Sequence, residues 1–249
     1  MWVAGLLWPL TRVLGLIAAA PVLGDSSIPK RLKVAFALIV TLILAPLLPL
    51  PPAIEPLSLN AVLIMADQFL IGLAMGLAMR LVFASIELAG ELIALTMGLN
   101  FATFFDPQSR SESFVVSQFL LTLGTLTFLA LDGHLLLLSA LAESFHTLPI
   151  AHSSLGSRGA LDVVEWGSTV FSSGIQLALP VLGALLITSA SLGILTRAAP
   201  QLNIFGVGFP ISIGVGFLVL GLALPYVTVP LGRLFEQGIN VINHLTASG

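Results

Sequence analysis

The chain has no cysteine, which removes disulfide frameworks and thiolate metal sites from consideration. Charge is nearly as scarce. Nine Lys and Arg and twelve Asp and Glu make up 8% of 249 residues, against about 25% in an ordinary soluble domain. So little polar surface cannot keep a fold of this size in water; lipid, partner subunits or both must cover it. A net charge of -3 excludes a general nucleic-acid-binding character. One Tyr and three Trp leave little for an aromatic belt at a membrane interface. There is no G-x-S-x-G elbow and no glycine-rich phosphate loop after a strand, so nothing argues for an enzyme or a cofactor.

What the sequence does hold is hydrocarbon: 57% of residues are apolar and the mean hydropathy is +1.08. About 20 apolar residues suffice for a helix to cross a bilayer. Six segments approach that length: Gly5–Leu23, Leu32–Leu50, Ala61–Phe83, Phe114–Leu131, Gly167–Ile194 and Val207–Val229. Shorter helices are expected at Ala84–Met97, Leu135–Thr147 and Leu231–Leu245, a stiff Pro-rich connector at Ala45–Pro56, and a Ser/Gly loop at His152–Asp162. The first segment lacks the basic start of a signal peptide and reads as a retained helix. These features define an all-α, polytopic hydrophobic protein, one integral unit without a soluble domain. Lys30, Arg31 and Lys33 assign the first loop to the cytoplasm by the bias of basic residues, with the N-terminus outside. Arg197 marks a second cytoplasmic turn if the last two long segments form a hairpin.

Several of these segments suit protein contact better than lipid. Arg12, Asp67 and Arg80 lie inside apolar stretches, and Pro180 and Pro225 interrupt the late ones. Ionisable side chains and freed backbone groups at membrane depth must face protein or a water-filled cavity. Gly72-x3-Gly76 has the spacing of a close helix contact. If Ala61–Met97 is one helix, Arg80, Glu87 and Glu91 fall within about 20° of one stripe. That stripe is either a pore-lining or inter-subunit surface, or a solvated helix end. Asp132-x-His134 and Glu143-x-x-His146 have metal-like spacing, but a single Glu-x-x-His without a second copy reads as polar helix ends. No metal site is expected.

Two stretches carry more information. "GLNFATFFDPQSRSESF" (Gly98–Phe114) packs three phenylalanines into five residues before Asp106-Pro107, which ends the helix that presents them. On a helix, Phe101, Phe104 and Phe105 share one face. They either close a pore or staple the helix to core. "LTRAAPQLNIFGVGFP" (Leu195–Pro210) places Arg197, Gln201, Asn203 and Phe205 on a short turn, and its Gly-x-Gly-Phe-Pro breaks the start of the next helix.

In order, "RVLGLIAAAPVLGDSSIPKRLKVAFAL" (Arg12–Leu38), "GLNFATFFDPQ" (Gly98–Gln108) and "RAAPQLNIFGVGFP" (Arg197–Pro210) resemble the FliR family. These are flagellar type III export-gate components, called SctT in virulence secretion. The resemblance covers nearly the whole chain. It implies a FliP-like helical part (residues 1–165) followed by a FliQ-like hairpin and C-terminal helix (residues 166–249). It implies assembly with FliP and FliQ into a conical gate in the inner membrane, at the centre of the flagellar basal body. FlhB and FlhA would join it, and unfolded flagellar proteins would pass through. It also implies that Phe101, Phe104, Phe105, Asp106 and Pro107 belong to a loop that plugs the pore. Arg12, Asp67, Arg80, Glu87 and Glu91 would then meet other helices, subunits or membrane lipid. The competing reading is a secondary transporter or channel for a small solute. It calls for inverted repeats and a polar midplane site, neither of which the sequence displays.

Overall fold

The computed structural model describes residues 2–48, 58–99, 115–150, 157–199 and 204–247. Among them are seven α-helices and no strand: α1 (Trp2–Ala19), α2 (Lys30–Leu44), α3 (Leu59–Met97), α4 (Val115–Ala130), α5 (Gly133–Thr147), α6 (Ser157–Ala198) and α7 (Ile204–Ala247). A short 3-10 turn at Ala45–Leu47 closes α2, where Pro46 and its followers forbid further helix. Ala61–Met97 is one continuous helix, α3, as the polar-stripe argument required.

Three expectations change. Among the described residues only three helices are long and apolar enough to span a bilayer, four if α4 and α5, bent by 63°, form one broken span. α2 has only 15 residues, short of the about 20 that a crossing takes. The late prolines also fail to stop their helices. α6 runs through Pro180 and α7 through Pro210, Pro225 and Pro230. Each proline forfeits one i→i−4 bond, whereas a full break at membrane depth would strand several backbone groups. The Ser/Gly loop is shorter than expected too, because α6 already begins at Ser157.

The described helices cluster into two compact units, each built from separated stretches. The first comprises Met1–Phe83, Phe128–Ser168 and Leu234–Gly249, and the second comprises Ala84–Thr127 and Thr169–Arg233. In the first unit the backbones of α1 and α3 meet directly where Gly15 and Gly72 face the opposite helix. A Cβ on Gly72 would stand 1.9 Å from the Arg12 carbonyl oxygen, and one on Gly15 2.3 Å from that of Phe69. Only glycine permits that approach. Phe83, Phe128 and Phe235 form a buried ring cluster from three helices, with centroids 5.2–5.7 Å apart, the separation aromatic pairs favour. The Trp166 indole N–H donates to the Ala78 carbonyl at 2.9 Å, tying α6 to α3.

In the second unit the end of α3 is built with equal care. Gly98 adopts φ +81°, its N–H donates to the Leu95 carbonyl, and the Leu99 N–H donates to that of Ala94. This pair of bonds is the Schellman stop. The Phe209 ring of α7 lies over it, 2.6 Å from where a Cβ of residue 98 would be. Gly98→Ala meets both the left-handed backbone and the ring. The expected cost is about 1–3 kcal/mol, read as a lower melting temperature in detergent.

Candidate functional site

Arg12 is fully buried in α1, where an isolated guanidinium would be prohibitive. Its neighbours answer every side of it. Nε donates to Gln68 Oε1 at 2.8 Å, Nη1 to the Ser144 carbonyl at 2.7 Å and to Ser144 Oγ at 3.1 Å, and Nη2 to the Leu148 carbonyl at 2.9 Å. The Phe145 ring lies under the guanidinium, 4.3 Å from centroid to Cζ, a cation–π contact. All four acceptors are neutral oxygens. Two are main-chain carbonyls at the C-terminal end of α5, where the dipole favours a cation; that of Ser144 also accepts from the Leu148 N–H at 3.0 Å. Arg12 therefore caps α5 from α1, and Gln68 of α3 completes the junction. Three helices remote in sequence meet at one side chain.

The other charged residues of the expected contact set all lie along α3. Asp67 and Glu91 are half-buried, and Arg80 and Glu87 are exposed along α3. Asp132 adopts φ 55° in the bend before α5. Among the described residues no group of three His, Cys, Asp or Glu comes together. Arg197 is exposed in the last turn of α6. Phe101, Phe104, Phe105, Asp106, Pro107, Gln201 and Asn203 lie outside the described residues, as does the side chain of Phe205.

Sequence reasoning missed Gln68, Ser144, Phe145 and Leu148 as the partners of Arg12. Gln68 offered the one available signal, a second polar residue beside Asp67 in an apolar run. It also missed a cavity of about 210 Å³ within the second unit, lined among others by Ile93, Gln176, Pro180, Leu220, Tyr226 and Pro230. Pro180 and Pro230 cannot donate to the carbonyls four residues earlier, those of Gln176 and Tyr226. Both of these residues line the same cavity.

The helices differ sharply in how much of them is covered. The most apolar stretch of α3 is 61% buried, against 17% for α6 and 11% for α7. Leu186, Ile187, Ile194, Leu218, Leu222 and Tyr226 are all strongly exposed, far more apolar surface than a monomer in water tolerates.

Residues 3–238 match the model of the bacterial export proteins, family 1. The chain is 44% identical over 241 residues to the flagellar biosynthetic protein FliR of Pectobacterium carotovorum subsp. carotovorum, covering 97% of this chain and 92% of that one. It is 41% identical to FliR of Escherichia coli strain K12 over the same shares. FliR of Bacillus subtilis strain 168 is 28% identical across 95% of this chain and 92% of its own. A family match across nearly the full length, together with relatives above 40% identity, shows that this chain belongs to the bacterial export proteins, family 1.

Proposed function

We propose that the chain is a structural subunit of the flagellar export gate in the inner membrane, at the centre of the basal body. It assembles with FliP and FliQ around the pore for unfolded flagellar proteins, and FlhB and FlhA join that core. The observation that carries this reading is the bareness of α6 and α7: two of the longest apolar helices bury 17% and 11% of their most apolar stretches. Neighbouring subunits supply the missing cover. Residues 1–165 form the FliP-like part and residues 166–249 the FliQ-like hairpin with the C-terminal helix. Arg80 and Glu87, exposed along α3, serve as polar contacts to other chains; Glu91 extends their stripe, and Asp67 is a further contact on another face of the helix.

Phe101, Phe104 and Phe105 close the pore, with Asp106-Pro107 ending the segment that carries them. Burying one aromatic ring contributes roughly 1.5–3 kcal/mol, enough for a few rings to hold a gate shut and still be displaced. The firm ends on either side support this reading. Gly98 is locked in the Schellman stop, and Ser117 Oγ donates to the Glu87 carbonyl at 3.0 Å. Replacing the three phenylalanines with Ala is expected to leave assembly intact and make the resting gate conduct ions. A variant complex as tight as wild type in planar-bilayer conductance refutes the plug, and one that fails to assemble assigns the rings to core packing.

Arg197, Gln201, Asn203 and Phe205 form the cytoplasmic turn at the gate's entrance. The chain has no native cysteine, so Gln201→Cys and Asn203→Cys report cleanly. Both are expected to react with a membrane-impermeant maleimide from the cytoplasmic side only.

A further inference from the structure

α2 touches α1 through a narrow face, with Ala37, Val40 and Thr41 its buried residues. The rest of the helix is bare. Leu32, Ile39 and Ile43 are 60%, 55% and 64% exposed, and at helical spacing they form one stripe. Leu38 and Leu42 lie on the adjacent stripe, and Arg31, seven and eleven residues before them, heads it. Lys30 and Arg31 are exposed, while Lys33 Nζ donates to the Gly24 carbonyl at 2.8 Å. The preceding turn holds a single acid, Asp25, whose Oδ1 accepts from the Ser27 N–H at 2.7 Å. Hydrogen bonds from the Ser27 side chain and amide hold its carboxyl below the usual range. The charges at this end of α2 are therefore three basic against one acidic, with two of the basic groups free to face outward.

We infer that the outward face of α2 seats an anionic phospholipid, its phosphate against Lys30 and Arg31 and its acyl chains along Leu38, Leu42, Ile39 and Ile43. The inference rests on the reading of the chain as a membrane-inserted gate subunit. Charge complementarity selects the headgroup, since anionic leaflets attract basic residues near their surface. Length selects the chains. Arg31 to Leu42 spans eleven residues, roughly 16 Å at about 1.5 Å each, close to half of the ~30 Å hydrocarbon core. A second helix would satisfy the apolar stripe equally well, but Arg31 at the head of that stripe, with the exposed Lys30 beside it in the first turn, calls for an anion.

The test uses the full chain in bilayers of phosphatidylethanolamine and phosphatidylglycerol, excised with a styrene–maleic acid copolymer. Phosphatidylglycerol retained per chain is expected to be about fivefold enriched over the bulk bilayer. Lys30→Gln combined with Arg31→Gln is expected to bring it to the bulk ratio, and Lys30→Arg to preserve it. A photoreactive residue at Leu42 is expected to yield lipid adducts, both alone and with FliP and FliQ co-expressed. Unchanged enrichment in the Gln variant overturns the inference. A Leu42 adduct to a protein chain also overturns it and assigns the face to a partner helix. If the Gln variant aggregates, the wild-type melting temperature decides. It must rise with the phosphatidylglycerol fraction, and a flat response refutes the site. Failure of the chain to join FliP and FliQ would leave these readouts untouched and count against the gate reading alone.

Discussion

Gly72→Ala is expected to unseat α1 from α3 and leave little folded protein. The new Cβ would stand 1.9 Å from the Arg12 carbonyl oxygen and 2.8 Å from the Leu16 nitrogen. Both atoms are helical backbone, so no side chain can rotate away and a whole helix must retreat. Overpacking of this kind costs about 1–3 kcal/mol where side chains can adjust, and here the cost should exceed that range. The retreat would also pull the Arg12 guanidinium from acceptors now 2.7–3.1 Å away. Gly183→Ala provides the control, because nothing lies within 4 Å of where its Cβ would stand in α6. That change should be neutral, or stabilising by up to ~1 kcal/mol. Fluorescence-detected size exclusion after a temperature series separates the two variants. Equal melting of Gly72→Ala and wild type would contradict the close crossing.

Arg12→Met is expected to destabilise the chain by on the order of 4 kcal/mol. It replaces the guanidinium with an apolar side chain of similar reach, takes the Arg12 donor from the Leu148 carbonyl and the Gln68 amide oxygen, and leaves the Ser144 carbonyl only the Leu148 N–H. Each stranded group costs roughly 1–3 kcal/mol, and the Phe145 cation–π contact at 4.3 Å is lost with them. Arg12→Lys should recover only part of the loss, because one ammonium cannot reach acceptors on two helices in the planar geometry of a guanidinium. Adding Gln68→Leu to Arg12→Met should soften the effect, since it removes one of the stranded acceptors. A melting temperature within a degree of wild type for Arg12→Met would show that the junction adds nothing to the fold.

The physics of these sites explains which parts of the molecule could be read in advance. Periodicity located the helices well, because an apolar run between breakers has few alternatives. The Gly72-x3-Gly76 spacing announced the α1–α3 crossing, although Gly15 on the opposite helix did not stand out. Arg12 was recognisable as a residue that required burial against protein. Its partners were not, since main-chain carbonyls at a helix C-terminus have no side-chain signature, and Ser144 and Leu148 lie more than 130 residues away. The prolines misled in the other direction. In a soluble helix they mark an end, but the long apolar helices here continue through Pro180, Pro210, Pro225 and Pro230, because at membrane depth an intact ladder outweighs a single missing bond. The count of crossings was too high for a related reason. Hydropathy measures apolar length along the sequence, and α2 ends after 15 residues, short of a full span.

The central claim is that these helices are completed by other subunits of an export gate, and co-purification tests it most directly. The chain should be expressed alone and together with FliP and FliQ, extracted in mild detergent, and its mass measured by light scattering at the eluted peak. Aggregation or rapid loss is predicted for the chain alone, and a single monodisperse hetero-oligomer containing all three proteins on co-expression. A stable, monodisperse isolated chain that ignores FliP and FliQ would contradict that claim.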